Sequence, residues 1–84
     1  MNVKWKSEQQ EKRWMALIKE ILDKKIGMEI TTRARYVNVK LSSDGEIFHQ
    51  FSIVKVGEWQ ERLIKDLSSY RSRYFRLQTQ AKVG

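Results

Sequence analysis

The sequence predicts an α+β domain: one helix, a two- or three-stranded antiparallel sheet built on a central hairpin, and a long C-terminal helix. The helices and sheet form a two-layer sandwich. Three observations predict it. Residues 36–56, YVNVKLSSDGEIFHQFSIVKV, alternate apolar and polar side chains around an Asp-Gly turn signal. The segments on either side carry apolar residues at helical spacing. The 84 residues contain no proline, and neither a repeat nor a linker divides them, so residues 1–84 read as one small basic domain.

Ser7 opens the first helix. Ser7-Glu8-Gln9-Gln10 fits a capping box, in which the Ser7 hydroxyl and the Gln10 side chain satisfy backbone N–H groups reciprocally. Trp14, Leu17, Ile18, Ile21 and Leu22 form one apolar stripe. Gly27 is the expected left-handed residue after the helix end. Ahead of the helix, Val3 and Trp5 are placed to fold back onto the core.

The segment from Met28 to Arg33 alternates and suits a strand. Its apolar positions are even-numbered, whereas those of the following strand, Val37, Val39 and Leu41, are odd. The switch requires a bulge or a short turn around Arg33-Ala34-Arg35. Three strands are preferred over two, because a lone hairpin on a helix is less stable.

A three-residue turn, Ser43-Asp44-Gly45, is expected to close the hairpin. It pairs Leu41 with Ile47, Val39 with His49 and Val37 with Phe51. Val37, Val39, Leu41, Ile47, Phe51 and Ile53 then gather on one face. A two-residue Asp44-Gly45 turn would pair Leu41 with Phe48 and scatter apolar residues over both faces. The opposite face carries Tyr36, Asn38, Lys40, Phe48, Gln50 and Ser52. Such a face is ordinarily just solvated; its functional reading is a stacking platform for unpaired bases.

The last helix begins at Gly57 or Glu58. Trp59, Leu63, Leu67, Tyr70, Tyr74, Leu77 and Ala81 follow a four-and-three spacing to about Gln80. Near 35 Å at about 1.5 Å per residue, this helix outruns a small sheet, so its end projects or packs on another copy. The expected core is Trp14, Leu17, Ile18, Ile21, Leu22, Val37, Val39, Leu41, Ile47, Phe51, Ile53, Trp59, Leu63 and Leu67.

Composition narrows the function. Lys and Arg number 17 against 10 Asp and Glu, a net charge of +7, which favours polyanionic partners. The charge is asymmetric: after Asp66 come Arg71, Arg73, Arg76 and Lys82 with no acid. There is no cysteine, which excludes disulfides and thiolate metal sites and fits a reducing, cytoplasmic home. No apolar run approaches a membrane span, and the first residues lack the apolar core of a signal peptide.

Nothing in the sequence assembles an active site. The single histidine, His49, has no nucleophile or second histidine in a recognisable spacing and reads as a partly buried strand residue. The carboxylates form no metal-ligand motif, and the glycines lie too far apart for a phosphate loop. No enzyme, cofactor or metal is therefore expected. The basic-aromatic stretch is the best functional signal: Arg71, Arg73 and Arg76 can fork onto phosphates, and Tyr74 and Phe75 can stack or anchor a partner. The same residues could instead finish the core and be solvated, or Tyr70, Tyr74 and Leu77 could join two copies in a homodimer.

The run Phe51-Ser52-Ile53-Val54-Lys55-Val56-Gly57-Glu58-Trp59, followed by Leu63 and Leu67, resembles the strand-to-helix junction of the PC4-like single-stranded DNA-binding family. The resemblance spans residues 35–70. It implies a dimer that binds single strands along its sheet, with Arg33, Arg35, Tyr36, Lys40 and Phe48 as contacts. The chain departs from that family in its N-terminal helix and in lacking a fourth strand unless the Met28 segment is split.

The expected function is thus a non-enzymatic nucleic-acid-binding module that uses the basic-aromatic helix and the open sheet face. The alternative is a small protein-interaction module, an inhibitor or adaptor of a larger complex, docking on an acidic protein surface.

Overall fold

The computed structural model describes residues 3–83, with side chains to residue 79. In chain order it holds α1 (Glu8–Asp23), β1 (Gly27–Thr32), β2 (Tyr36–Ser43), β3 (Glu46–Val54), α2 (Trp59–Ser68) and α3 (Tyr70–Val83). The strands make one antiparallel sheet in the order β1-β2-β3, the three-stranded form. Buried residues of α1, α2, Tyr70 of α3 and the odd-numbered positions of β2 belong to one cluster. The helices therefore cover one face of the sheet and leave the other open.

Ser7 caps α1, its Oγ accepting from the Gln10 N–H at 3.2 Å. The return bond reaches one residue further back than a capping box places it: the Lys6 N–H donates to Gln10 Oε1 at 2.8 Å. The other end of α1 is a Schellman motif. The Lys25 N–H donates to Leu22 O and the Ile26 N–H to Ile21 O. Its left-handed residue is Lys25, at φ 59°. Gly27, expected in that role, instead begins β1. There a Cβ would come within 2.6 Å of Ser42 Oγ, so a side chain at this position would require the Ser42 hydroxyl to turn away.

The parity switch between β1 and β2 is a short turn. Thr32 pairs with Val37 and Ile30 with Val39, and the Arg33 N–H donates to Tyr36 O at 2.8 Å. Even-numbered β1 residues thereby join odd-numbered β2 residues on the helix side.

The central hairpin differs from the expected register. Ser43 pairs with Glu46, so the loop is the two residues Asp44 and Gly45. Both have positive φ, 51° and 81°, as the favoured two-residue hairpin turn requires. The scattering of apolar residues that such a turn threatens is removed by a bulge. Ser42 pairs with Ile47 but Leu41 with His49, and Phe48 is the extra residue. Beyond it Val39 meets Phe51 and Val37 meets Ile53, not His49 and Phe51. Local turn chemistry and hydrophobic patterning are both satisfied at the expense of one unpaired residue.

The C-terminal helix is broken. Ser69 separates α2 from α3. The Ser68 and Ser69 hydroxyls donate to Lys65 O at 2.7 and 3.2 Å, and so does the Ser69 N–H at 3.2 Å. Paired serines bonding back onto the preceding turn are a recognised cause of bent helices. Tyr70, the first residue of α3, is fully buried in the core.

Most of the expected core is buried or half-buried, with two corrections. Leu22 is 57 % and Ile47 54 % exposed. Leu22 lies at the outer edge of the α1 stripe, and the two-residue turn sets Ile47 against Ser42 on the open face. Ile26, Ile64 and Tyr70 are buried as well. Trp5 does fold back, its ring 5.2 Å from that of Trp14, and the Gln60 side chain donates to Lys4 O at 3.0 Å. Ala81 and Lys82 lie outside the residues whose side chains are described.

Candidate nucleic-acid interface

The expected binding residues divide into three groups. Arg33, Arg35 and Tyr36 stand together at one end of the sheet. The turn joining β1 to β2 sits there, because the Lys55 N–H donates to Arg35 O at 2.8 Å and Tyr36 pairs with Val54. Arg62 reaches the same end from α2, donating to Val54 O at 3.4 Å and to Val56 O. Lys55 lies over the Trp59 ring, 5.5 Å from its centroid. Arg33, Arg35, Lys55 and Arg62 thus surround an exposed apolar patch of Tyr36, Val54 and Val56.

None of these four cations forms an ion pair among the described residues. Glu58, the acid nearest to Lys55 in the chain, is already held by Lys6 at 3.0 Å, and Glu61, next to Arg62, by Arg13 at 2.9 Å. The corner is therefore a concentration of uncompensated positive charge around an aromatic ring. Lys55, Arg62, Val54 and Val56 were not among the expected residues. The displaced hairpin register hid them, since it set Arg35 beside Ile53 instead of against Lys55.

Lys40 lies on the open face, paired with Glu29 on one side and Gln50 on the other. The glutamate weakens the positive field there. Around it the face is made of amides and hydroxyls, such as Ser52, whose Oγ donates to Asn38 Oδ1 at 2.9 Å. Phe48 is not on this face. The two-residue turn shifts it to the helix side, where it is the extra residue of the bulge and its ring lies 5.6 Å from Tyr74. The stacking platform expected of Tyr36 and Phe48 together does not exist.

The α3 residues also separate. Tyr74 is half-buried against Phe48 and Tyr70, so it supports the fold. With Tyr70 in the core and Leu77 half-buried, the expected homodimer contact through Tyr70, Tyr74 and Leu77 is occupied within the chain. Arg73 and Arg76 are exposed and Phe75 is 71 % exposed, so these remain available on the outer side of α3.

Arg71 is committed elsewhere. Its Nε and Nη2 grip the two Glu20 oxygens at 2.8 Å each. Tyr70 OH donates to Glu20 Oε2, and Lys24 Nζ donates to Tyr70 OH at 3.1 Å. The bonds from Arg71 and then Tyr70 hold the Glu20 carboxyl at about 2. The same pairing raises Arg71, and the bond to Tyr70 raises Lys24. Burial is the main cause raising the Tyr70 phenol. This cluster clamps the end of α1 to the start of α3.

Between α1 and α2 lies a groove of about 560 Å³ floored by Leu17 and Ile64. Arg13–Glu61 and Arg71–Glu20 stand on its rim, so its arginines are already neutralised. Among the described residues no cluster of His, Cys, Asp or Glu could hold a metal ion. No described helix is long and apolar enough to cross a membrane. His49 is buried under α2, its Nε2 2.8 Å from Asp66 O, which is a packing role. No protein-family model matches this chain, and no curated protein or solved structure matches it.

Proposed function

We propose that this chain is a non-enzymatic nucleic-acid-binding module whose main contact surface is the basic corner of the sheet. The observation that carries the reading is the convergence of Arg33, Arg35, Lys55 and Arg62, from separate parts of the chain, around exposed Tyr36 without an acid partner. Guanidinium forks and an ammonium bind phosphate oxygens and release counterions. A tyrosine among them offers a π-face to an unpaired base. The PC4-like resemblance likewise points to single strands. Arg73, Phe75 and Arg76 on α3 supply a second contact of the same chemistry.

Fluorescence anisotropy with labelled single- and double-stranded oligonucleotides tests this at low and near-physiological salt. Binding should persist at the higher salt and favour single strands. Replacing Arg33, Arg35 and Lys55 together by Glu should weaken it at least about tenfold and flatten the salt slope by about three. Affinity that ignores strand type and vanishes with salt, or survives the triple substitution, rejects the reading.

A second reading is a protein-interaction module. Val54 and Val56 favour it, since exposed aliphatic side chains contribute nothing to phosphate binding but suit a protein surface. The partner would set acidic groups around an apolar centre. A stoichiometric protein retained from nuclease-treated lysate, and lost with Val54→Asp, would select this reading.

A further inference from the structure

The two edges of the sheet are treated differently. Native sheets blunt their edges with bulges, lysines or covering side chains, because unpaired strand backbone recruits another strand. The β3 edge is blunted in this way. It carries the Phe48 bulge, Arg62 covers the Val54 carbonyl, and α3 packs beside it. The β1 edge has none of these devices. Its sequence, Gly-Met-Glu-Ile-Thr-Thr, contains no lysine or proline, and its pairing with β2 is unbroken.

The backbone groups free on that edge can be identified. Arg33 is hydrogen-bonded to Tyr36, and bonded and non-bonded pairs alternate along an antiparallel ladder. Thr32, Ile30 and Met28 therefore turn their N–H and C=O groups outward. Among the described residues no side chain bonds to them.

Of the helices, α1 is the one that packs on β1, and it carries an apolar flank. Arg13, Ala16, Leu17 and Glu20 face α2 across the groove. At about 100° per residue, Met15, Ile18 and Leu22 project on the opposite flank, away from α2. Met15 and Leu22 are both more than half exposed. Below them Met28 and Ile30 are only partly buried at the end of the core.

We propose that a second copy of this chain pairs its β1 edge antiparallel with this one, giving a continuous six-stranded sheet with the two α1 flanks packed together above it. Self-complementarity selects this occupant. In a two-fold pairing, residues on the helix side must meet residues on the helix side. Centring the axis on Ile30 sets Ile30 against Ile30 of the second copy, and Met28 against its Thr32. Every outward backbone group of β1 is then used. Glu29 falls opposite Thr31 of the second copy and diagonal to its Arg33, an attractive arrangement repeated by symmetry. Centring on Glu29 would oppose two carboxylates directly and use fewer bonds, so that register is disfavoured. Isologous contacts of this kind are the commonest route to a closed dimer. The inference does not depend on what the basic corner binds.

Sedimentation velocity over a concentration series tests it. The chain should sediment at twice its mass of 10.1 kDa at about 100 µM, a concentration that reveals even modest affinity. Met15→Lys with Leu22→Lys should shift the midpoint toward monomer by at least about tenfold. Both positions are exposed, so the fold should survive. Thr32→Pro should do the same, because it removes an outward N–H and spares the β1–β2 ladder. Circular dichroism checks that both variants remain folded. Glu29→Cys with Thr31→Cys should give a covalent dimer on oxidation, since these residues face each other at about 4.5 Å between Cα atoms and the chain has no other cysteine. A monomer at the top concentration overturns the proposal and leaves the edge to a strand of another protein. A dimer unaffected by either variant, or failure to cross-link, overturns it too, because the copies then meet elsewhere or in another register.

Discussion

Glu20 is where the fold should respond most clearly to pH. The perturbation is Glu20→Gln, which keeps the shape and removes the charge gripped by Arg71, Tyr70 and Lys24. A carboxyl held at about 2 against an ordinary 4.5 corresponds to ~3 kcal/mol at about 1.36 kcal/mol per pH unit. The Glu20 side chain is 31 % exposed, and water screens the pair, so about 1–2 kcal/mol is expected in practice. The sign follows from linkage. The folded pKa is depressed, so the stabilisation is complete above the unfolded value near 4.5. It is lost as pH falls through about 2, below which both states are protonated. Urea denaturation of both proteins at several pH values measures the gap. It should be about 1–2 kcal/mol at pH 7, or roughly 5–10 °C in Tm for a domain of this size, and should close between pH 4.5 and 2. Arg71→Ala should reproduce the neutral-pH loss, and once folded it should bind oligonucleotides as the parent does. A gap that stays constant with pH, or no gap at all, would refute the reasoning.

Lys25→Gly should raise stability by about 0.5–1 kcal/mol, because φ 59° strains a residue with a Cβ and glycine adopts it freely; a higher urea midpoint with unchanged m-value checks this. Phe48→Ala should lower stability by about 1–3 kcal/mol through lost packing on Tyr74 while leaving oligonucleotide affinity of the folded protein unchanged, which anisotropy below the melting transition would show.

The same pattern of confinement to local rules explains what could be read from the residues. The start of α1 was legible because Ser7 and Gln10 announce a cap within a few residues. The third strand was legible because Met28 to Arg33 alternates and three strands on a helix are more stable than a lone hairpin. The hairpin register was not. The Asp44-Gly45 turn and the apolar alternation each obey a local rule, and they conflict unless one residue is extruded. A three-residue turn would also remove the conflict; the chain removes it instead with the Phe48 bulge. That one difference moves Phe48 from the open face to the core side and brings Lys55 against Arg35.

The α+β class, the order of the elements, most of the core and the excess of positive charge are all readable from the residues alone. These follow from periodicity, turn chemistry and composition, which are properties of neighbouring residues. Which charges are free depends on contacts between distant parts of the chain. Arg71 looked as available as Arg73 until α1 brought Glu20 beneath it. Arg62 and Lys55 looked ordinary until the sheet set them beside Arg33 and Arg35. Contacts across distant segments commit Arg71 to a carboxylate and Arg62 to backbone carbonyls while Arg33 and Arg35 stay exposed, and nothing in the local sequence encodes which.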